Sequence, residues 1–534
     1  MNPFDKLPKR RYPLGIQTFE RIIEEGYVYV DKTDLVWELA HTAPFVFLSR
    51  PRRFGKSLLT TTLCSYFRGE RELFEGLKIM DYETEWTQYP VIHLDMSFAK
   101  AQATAEALSQ AIGRLVELYE DKYGAHPSEK TPGSRLAGVI RRAYEQTGRK
   151  VVVAIDEYDA PLLDVLHEHE RLEAYRQVMQ EVYTPLKASE AYLRFCFITG
   201  ITKFSQLSIF STLNNLSNVS MQPQFATICG ITEAELTTVL AEDIAMLAEA
   251  YECSPEEMHQ KLKLAYDGYH FSENMHDGLY NPFSLIKAFM YQKISNYWFD
   301  SGTPTFLIRQ MQHFRTDITG LDDIEAPAMA FDRPTEAMED ALPLLYQSGY
   351  LTIKGYDRNT DTYHLAIPNQ EVRIGFVQGL IPAYVGLGSS NVQMGFALKF
   401  WRALRMQDLN LALTELQTYL AGIPYVEGFK KKLAEAATAE GFYEYTLYLI
   451  FSLLNAYVRT QVKCRGGRID VVVHMPDTTY VLELKTRGTA QEALAQIDER
   501  GYAFPFQAAG KPVVKAGLLF NMDTRTLDDW VIGR

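Results

Sequence analysis

A chain of 534 residues is too long for one ordinary core and predicts three or more folding units. Its 47% hydrophobic and 23% charged content is that of a soluble globular protein, and a formal charge of −13 excludes a generally basic nucleic-acid binder. The five cysteines (Cys64, Cys196, Cys229, Cys253, Cys464) form no C-x-x-C pair, no apolar run reaches a membrane span, and Met1–Lys6 is no signal peptide, so a reducing cytoplasm and no membrane partner are expected.

Residues 12–40 read as an entry segment: Tyr12-Pro13-Leu14-Gly15, a short helix, then YVYVDKT from Tyr27 to Thr33. From 44 to 230, strand candidates at 44–49, 90–95, 150–155 and 193–199 alternate with helical stretches such as 101–121 and 134–147. That alternation predicts a parallel sheet with helices on both faces. The first strand runs into SRPRRFGKS, Ser49 to Ser57, and a helical stretch Leu58–Phe67 follows. In strand, glycine turn and helix start, main-chain N–H groups cradle a triphosphate, Lys56 reaches its outer phosphates and Ser57 holds Mg²⁺. One departure is plain: Arg50 stands where G-x-x-x-x-G-K-[ST] has its first glycine. Arg50, Arg52 and Arg53 form a local basic patch, assigned to ATP together with Gly55.

The apolar run Val151–Ile155 ends in Asp156-Glu157, the pattern of a strand buried on both faces with an acid pair at its carboxyl end. Asp156 can orient Mg²⁺ through water, and Glu157 can polarise the water that attacks the γ-phosphate. Most Asp-Glu pairs are solvated strand ends, but two matching halves at this spacing outweigh that reading. Thr199 closes the next strand, either reaching the nucleotide or capping the strand end. His167-Glu168-His169 puts its histidines at i and i+2, on different helix faces, and carries no metal expectation.

From Thr232, a helix N-cap, helical patterning runs to 264. The aromatic stretch Tyr266–Phe271 reads as a packed loop, and Tyr350–Ile353 with Thr362–Leu365 as a hairpin, which suggests a helical lid with a winged-helix-like element. Residues 370–436 read as helical. Beyond them come an amphipathic helix Glu440–Val458, a strand Gly467–Val473, a turn at Pro476–Thr479 and a return strand Tyr480–Lys485. Helix Ala490–Arg500, carrying Gln496, and strand Val513–Phe520 complete the pattern. Glu483 and Lys485, two apart on a strand, share a face, and Asp470 can join them. Two such carboxylates bind a hard divalent cation that acidifies its water, which Lys485 then orients or deprotonates. A surface ion pair is the ordinary alternative, but apolar runs adjoin both acids, where uncompensated charge is costly. Lys463, Arg465 and Arg468 form a second basic patch, assigned to substrate.

These motifs together resemble a bacterial and archaeal family that joins an AAA-ATPase-like domain to a C-terminal PD-(D/E)XK nuclease-superfamily domain. The likeness rests on YPLGIQTFERI, YVDKT, SRPRRFGKS, AIDEYDAP, FITGITKFS, STLNNLSN, AYDGYHF, YNPFSL, SGTPTFL, GRID and ELK followed by AQI. It implies an α/β chain: a P-loop ATPase parallel sheet over 1–230, a helical lid with a winged-helix-like element over 231–370, a helical connector over 371–436 and a restriction-endonuclease-like α/β domain over 437–534. An arginine-rich loop without its first glycine is usual in that family. The resemblance assigns Lys56, Ser57, Asp156 and Glu157 to an ATPase site, and Asp470, Glu483 and Lys485 to a nuclease site with Gln496 as the helical accessory residue. Glu440 matches the family's first helical acid, with Glu444 one turn on as the alternative, and Gln461 stands where an acid is common. The cofactors implied are ATP and Mg²⁺, with Mn²⁺ acceptable at the second site. DNA or RNA is the partner implied, and a homo-oligomer is compatible with a neighbour's arginine completing the ATPase site. The reading is an ATP-regulated nuclease; the alternative is an ATP-dependent switch or scaffold whose nuclease fold binds nucleic acid without cutting it. A kinase would need an acceptor site, for which the sequence offers no candidate.

Overall fold

A computed structural model describes residues 10–166, 168–203, 215–274, 278–301, 305–316, 318, 321, 323–333, 338–384, 396, 399–400, 402–404, 406–421, 457–464, 467–475, 477–507, 511–521 and 526–533. The chain divides into two compact units, Met1–Trp298 with Ile324–Asn369, and Phe299–Asp323 with Gln370–Arg534.

In the first unit, β1 (Phe45–Ser49), β2 (Val91–Asp95), β3 (Val151–Asp156), β4 (Leu193–Gly200) and β5 (Ser217–Asn218) form one parallel sheet in the order β2-β3-β4-β1-β5. The crossovers are helical: Lys56–Arg68 between β1 and β2, Ala105–Tyr123 and Pro132–Thr147 between β2 and β3, and His169–Ala188 between β3 and β4. Parallel strands need such crossovers, and the helices cover both faces. Hence β3, VVVAID, is buried at every position, and its β-branched side chains pack against Ile112, Val139, Met179 and Val182 from the covering helices. The partner β5 had no sequence signal, since Ser217-Asn218 is neither apolar nor periodic.

Past the sheet, Thr232 and Glu235 close a capping box at the start of Glu233–Val239. Helices Ala241–Ala250, Pro255–Tyr266 and Pro282–Tyr291 follow, sharing a core of Leu236, Leu247, Leu262, Leu285 and Phe289. Two short strands, β6 (Ile231–Thr232) and β7 (Leu279–Tyr280), pair beside them. A three-stranded antiparallel sheet, β8 (Ile324–Ala326), β9 (Thr352–Asp357) and β10 (Thr362–Ala366), runs in the order β8-β10-β9. The hairpin begins two residues later than its apolar run suggests, because the amides of Tyr350 and Leu351 return to the Leu345 carbonyl at a helix end.

The second unit contains helices Gln370–Tyr384 and Leu409–Ala421 and a five-stranded sheet. β11 (Tyr457–Cys464), β12 (Gly467–His474) and β13 (Thr479–Lys485) form an antiparallel meander. β13 pairs in parallel with β14 (Val513–Phe520) through helix Ala490–Glu499, and β15 (Leu527–Gly533) closes the edge antiparallel. The helix expected over Glu440–Val458 lies outside the described residues up to 456, and its last two positions are strand: Tyr457 and Val458 pair with His474 and Val473. The run Tyr-Val-Arg-Thr-Gln-Val is rich in β-branched and aromatic residues, which favours a pleated strand there.

Helix Ala490–Glu499 presses directly on β14 at Gly517, where an added Cβ would stand 2.1 Å from the Ala490 carbonyl oxygen and 2.4 Å from the Leu494 nitrogen. Gly517→Ala is therefore expected to lift this helix and lower the stability of the unit by about 1–3 kcal/mol. Urea denaturation followed by circular dichroism checks this; an unshifted midpoint would show that the helix can give way freely.

Candidate functional site

The phosphate-type loop leaves β1 and enters its helix through Gly55, whose φ of 92° is left-handed and whose flank is open, with nothing within 4 Å of an added Cβ. Lys56 is buried, and its ammonium donates to the carbonyls of Arg50 and Pro51 at 3.0 Å each. Burial lowers its pKa, against the attraction of Asp156, Glu157 and Asp159. The three arginines separate. Arg50 is 1% exposed and turned inward, donating to the carbonyls of Ser49, Ser220 and Phe225 at 2.9, 2.7 and 2.9 Å, with its guanidinium 4.2 Å from the Phe271 ring centre. Its charge braces the loop from behind, which explains how an arginine fits the first-glycine position. Arg53, itself at φ 68°, lays its guanidinium 3.7 Å over Phe283 and donates to the Tyr297 carbonyl at 2.8 Å. Arg52 is exposed.

The acid pair sits two strands away, because β4 lies between β1 and β3, a separation of roughly 10 Å at the strand end. The helix Lys56–Arg68 bridges that gap: a Ser57 hydrogen bond reaches the carboxylate of Asp156. Burial lifts the Asp156 pKa to about 6, against that hydrogen bond and the charge of Lys56. Glu157 adopts φ 47° and meets the ammonium of Lys100 at 2.7 Å. Burial would raise its pKa, but the Lys100 hydrogen bond and charge, with help from Lys56 and Arg52, leave it lowered. The Thr199 hydroxyl donates to the Leu48 carbonyl at 2.7 Å, tying β4 to β1. Asp159, fully buried, accepts from the amides of Ile201 and Thr202 and from the Thr202 hydroxyl, so it shapes the turn after β4. Beside Gly55 opens a cavity of about 110 Å³ walled by Val28, Val30, Phe54, Leu59 and Ile231, with Lys32 bonded to Glu235 at 2.7 Å on its lining.

In the second unit the sheet brings four expected residues together. The β12–β13 ladder ends at the Val471–Leu482 pair, and the Asp470 carboxylate takes over as acceptor for the Leu484 amide at 2.8 Å. Glu483, 3% exposed, receives the side-chain amide of Gln496, and the oxygen of that amide accepts the Lys485 ammonium at 3.0 Å. Gln496 thus fixes both neighbours in one relay. The other oxygen of Glu483 is buried and has no donor among the described residues. Burial, and the nearby Asp470 carboxylate, push the Glu483 pKa up to about 8. Glu440 and Glu444 lie outside the described residues, as do the side chains of Gln461, Lys463 and Arg465; Arg468 is exposed. Among the described residues no group of three His, Cys, Asp or Glu could hold one metal ion, and no helix is long and apolar enough to cross a membrane.

Lys100 and the inward role of Arg50 escaped sequence reading. Lys100 lies 57 residues from its partner, in a segment without motif character. Asp159 was visible in AIDEYDAP, yet its bonds to residues 201 and 202 needed the strand pairing.

The family model described as "Predicted AAA-ATPase" matches residues 13–210, and that of the "PD-(D/E)XK nuclease superfamily" matches residues 438–530. An "Uncharacterized protein in vnfD 5'region" of Azotobacter chroococcum mcd 1 is 32% identical over 536 residues, covering 98% of this chain and 99% of that protein. Among solved structures, Drosophila ORC bound to poly(dA/dT) DNA and Cdc6 aligns over 82% of this chain and 70% of its own at 12% identity, with a TM-score of 0.25. Drosophila ORC bound to GC-rich DNA and Cdc6 aligns over 82% and 62% at 13% identity, with a TM-score of 0.22. Superpositions at those scores carry no argument about fold or function.

The Glu483 shift makes a test. The folded carboxyl titrates near 8 and the unfolded one near 4.5, so between those values the folded state binds the extra proton. Stability from this group is complete below 4.5 and is lost as pH rises through 8. In a chelator-containing buffer, Glu483→Gln should gain stability over the wild type at pH 9 but not at pH 4.5, read as denaturation midpoints. Parallel pH profiles for the two proteins would refute the assignment.

Proposed function

We propose that this chain, which belongs to the family joining an AAA-ATPase-like domain to a C-terminal PD-(D/E)XK nuclease-superfamily domain, hydrolyses ATP and cleaves phosphodiester bonds of nucleic acid. In the first unit, phosphate oxygens take the Lys56 ammonium from the Arg50 and Pro51 carbonyls, and amides at the Gly55 helix start cradle the anion. The apolar cavity beside Gly55 is where the base would lie. Ser57 and Asp156, hydrogen-bonded partners at a buried point, would hold Mg²⁺, which spreads the charge developing on the phosphoryl oxygens. Glu157, kept ionised by Lys100, orients the attacking water and accepts its proton. Arg52, whose charge reaches Glu157, is the loop arginine available to the γ-phosphate.

One observation carries the nuclease reading: a buried Glu483 oxygen without a donor among the described residues, in a carboxyl whose pKa is raised beside a second carboxylate. That donor set fits a hard divalent cation, and Asp470 and Glu483 would hold Mg²⁺ or Mn²⁺, which supplies an acidified water and neutralises phosphorane charge. Lys485, steered by Gln496, orients or deprotonates that water. A second reading, a nucleotide-driven switch whose nuclease fold grips a strand without cutting, is favoured by the net charge of −13.

Two assays separate these readings. With Mg²⁺ or Mn²⁺, and with and without ATP, the wild type should nick or degrade DNA or RNA, and Asp470→Ala or Lys485→Ala should slow cleavage roughly a hundredfold or more. Equal inertness of wild type and Asp470→Ala on every substrate would leave the switch. Glu157→Gln should retain ATP while phosphate release falls by about a hundredfold or more; rapid turnover in that variant would show that another group activates the water.

A further inference from the structure

The helix that begins at Gly55 ends at another cavity. From Lys56 to Tyr66 it rises roughly 15 Å, and its last turn presents Tyr66 and Phe67 to a recess of about 300 Å³. Helix Thr33–Thr42 contributes Trp37 and His41, the stretch before β2 contributes Tyr82 and Tyr89, and the start of β4 contributes Arg194. The recess therefore lies at the amino ends of the strands, opposite the end where loop and acid pair meet.

Aromatic rings form much of its wall. Trp37 and Tyr82 stack at 5.6 Å and 30°, and His41 leans on Trp37 at 4.3 Å. Tyr82 is 53% exposed, so the stack opens to solvent. Among the described residues, Arg194 is the one guanidinium in the lining. It sits 5.8 and 5.9 Å from the ring centres of Phe67 and Tyr89 and donates to the Ala40 carbonyl at a long 3.5 Å. The Glu83 carboxylate accepts the Tyr66 hydroxyl and the amides of Glu85 and Trp86, and so builds the local turn. Arg194 keeps planar donors to spend.

We propose that this recess is a second ligand site, for a nucleobase joined to a single phosphate. The rings offer a π face to the base, and the guanidinium offers paired donors to one oxyanion. Arg194 offers donors for one oxyanion, and the carboxylates of Glu83 and Glu85 in the wall oppose the further charges of a triphosphate. At about 300 Å³ the recess stands at the small end of ligand pockets, roughly 300–1,000 Å³. A free nucleoside monophosphate and one unpaired nucleotide of a strand share this chemistry. The site is independent of ATP hydrolysis at the loop.

Calorimetric titration of the full chain with AMP, with a ten-nucleotide thymidylate and with phenylalanine tests the proposal. At least one nucleotide probe should bind. Its affinity should fall roughly fivefold to a hundredfold in Tyr82→Ala and in Arg194→Met, and stay unchanged in Lys56→Ala. ATP binding should show the opposite dependence. AMP binding alone identifies a free monophosphate as the ligand; thymidylate binding alone identifies a strand. Tyr82, being exposed, gives a variant that folds even if Arg194→Met does not. The proposal is overturned if neither nucleotide binds the wild type, if Tyr82→Ala leaves binding intact, if Lys56→Ala abolishes it, or if phenylalanine binds equally well.

Discussion

An ionised carboxylate at the end of an apolar strand is stable only when donors or a cation meet it, and both candidate centres are organised around that constraint. Asp156 ends a strand buried at every position, and Glu483 sits one residue from the buried end of another. Burial raises both, to about 6 and about 8. Each receives one side-chain hydrogen bond, from Ser57 in the first case and Gln496 in the second. The difference is in the cations. Lys56 acts on Asp156 from close by, whereas Lys485 bonds to the Gln496 oxygen that lies between it and Glu483, and Asp470 adds like charge. Glu483 is therefore the more starved group, and its deprotonation is coupled to whatever positive charge arrives.

The loop solves a related problem with arginine. An arginine in place of the first glycine should crowd a phosphate cradle, yet Arg50 turns its guanidinium away, bonding three carbonyls and facing Phe271. Phe54, within the loop, packs edge-on against both Tyr269 and Phe271. The aromatic stretch 266–271, read as a packed loop, thus braces the backbone that Lys56 and Gly55 need. Lys100 does similar work at Glu157, keeping it charged; a carboxylate so held is a weaker base but is ready at neutral pH.

Much of the architecture was legible in local pattern. The four long strands of the first sheet appear within a residue of their apolar runs, because a strand buried on both faces must be continuously apolar. The pair Glu483 and Lys485 also followed from period alone, since residues two apart share a strand face. Short or edge elements were not legible: β5 has two polar residues, and the first two residues of β11 fall at the end of the leucine- and tyrosine-rich run read as a helix. Lys100, Asp159 and Arg194 acquire their surroundings from segments far away in the chain, and no spacing rule reports that.

By itself the sequence determined what depends on neighbours along the chain: the glycine turn at 55, the helix that follows it, the burial of β3, and the residue types able to bind phosphate and divalent ions. Tertiary structure decided the order β2-β3-β4-β1-β5, which separates Lys56 from the acid pair by one strand and makes the loop helix their bridge. It also decided that Arg50 faces inward and that Gln496 joins Lys485 to Glu483. The physical reason is that periodicity records which side of an element is apolar, whereas strand order and side-chain pairing depend on long-range packing that leaves no period behind.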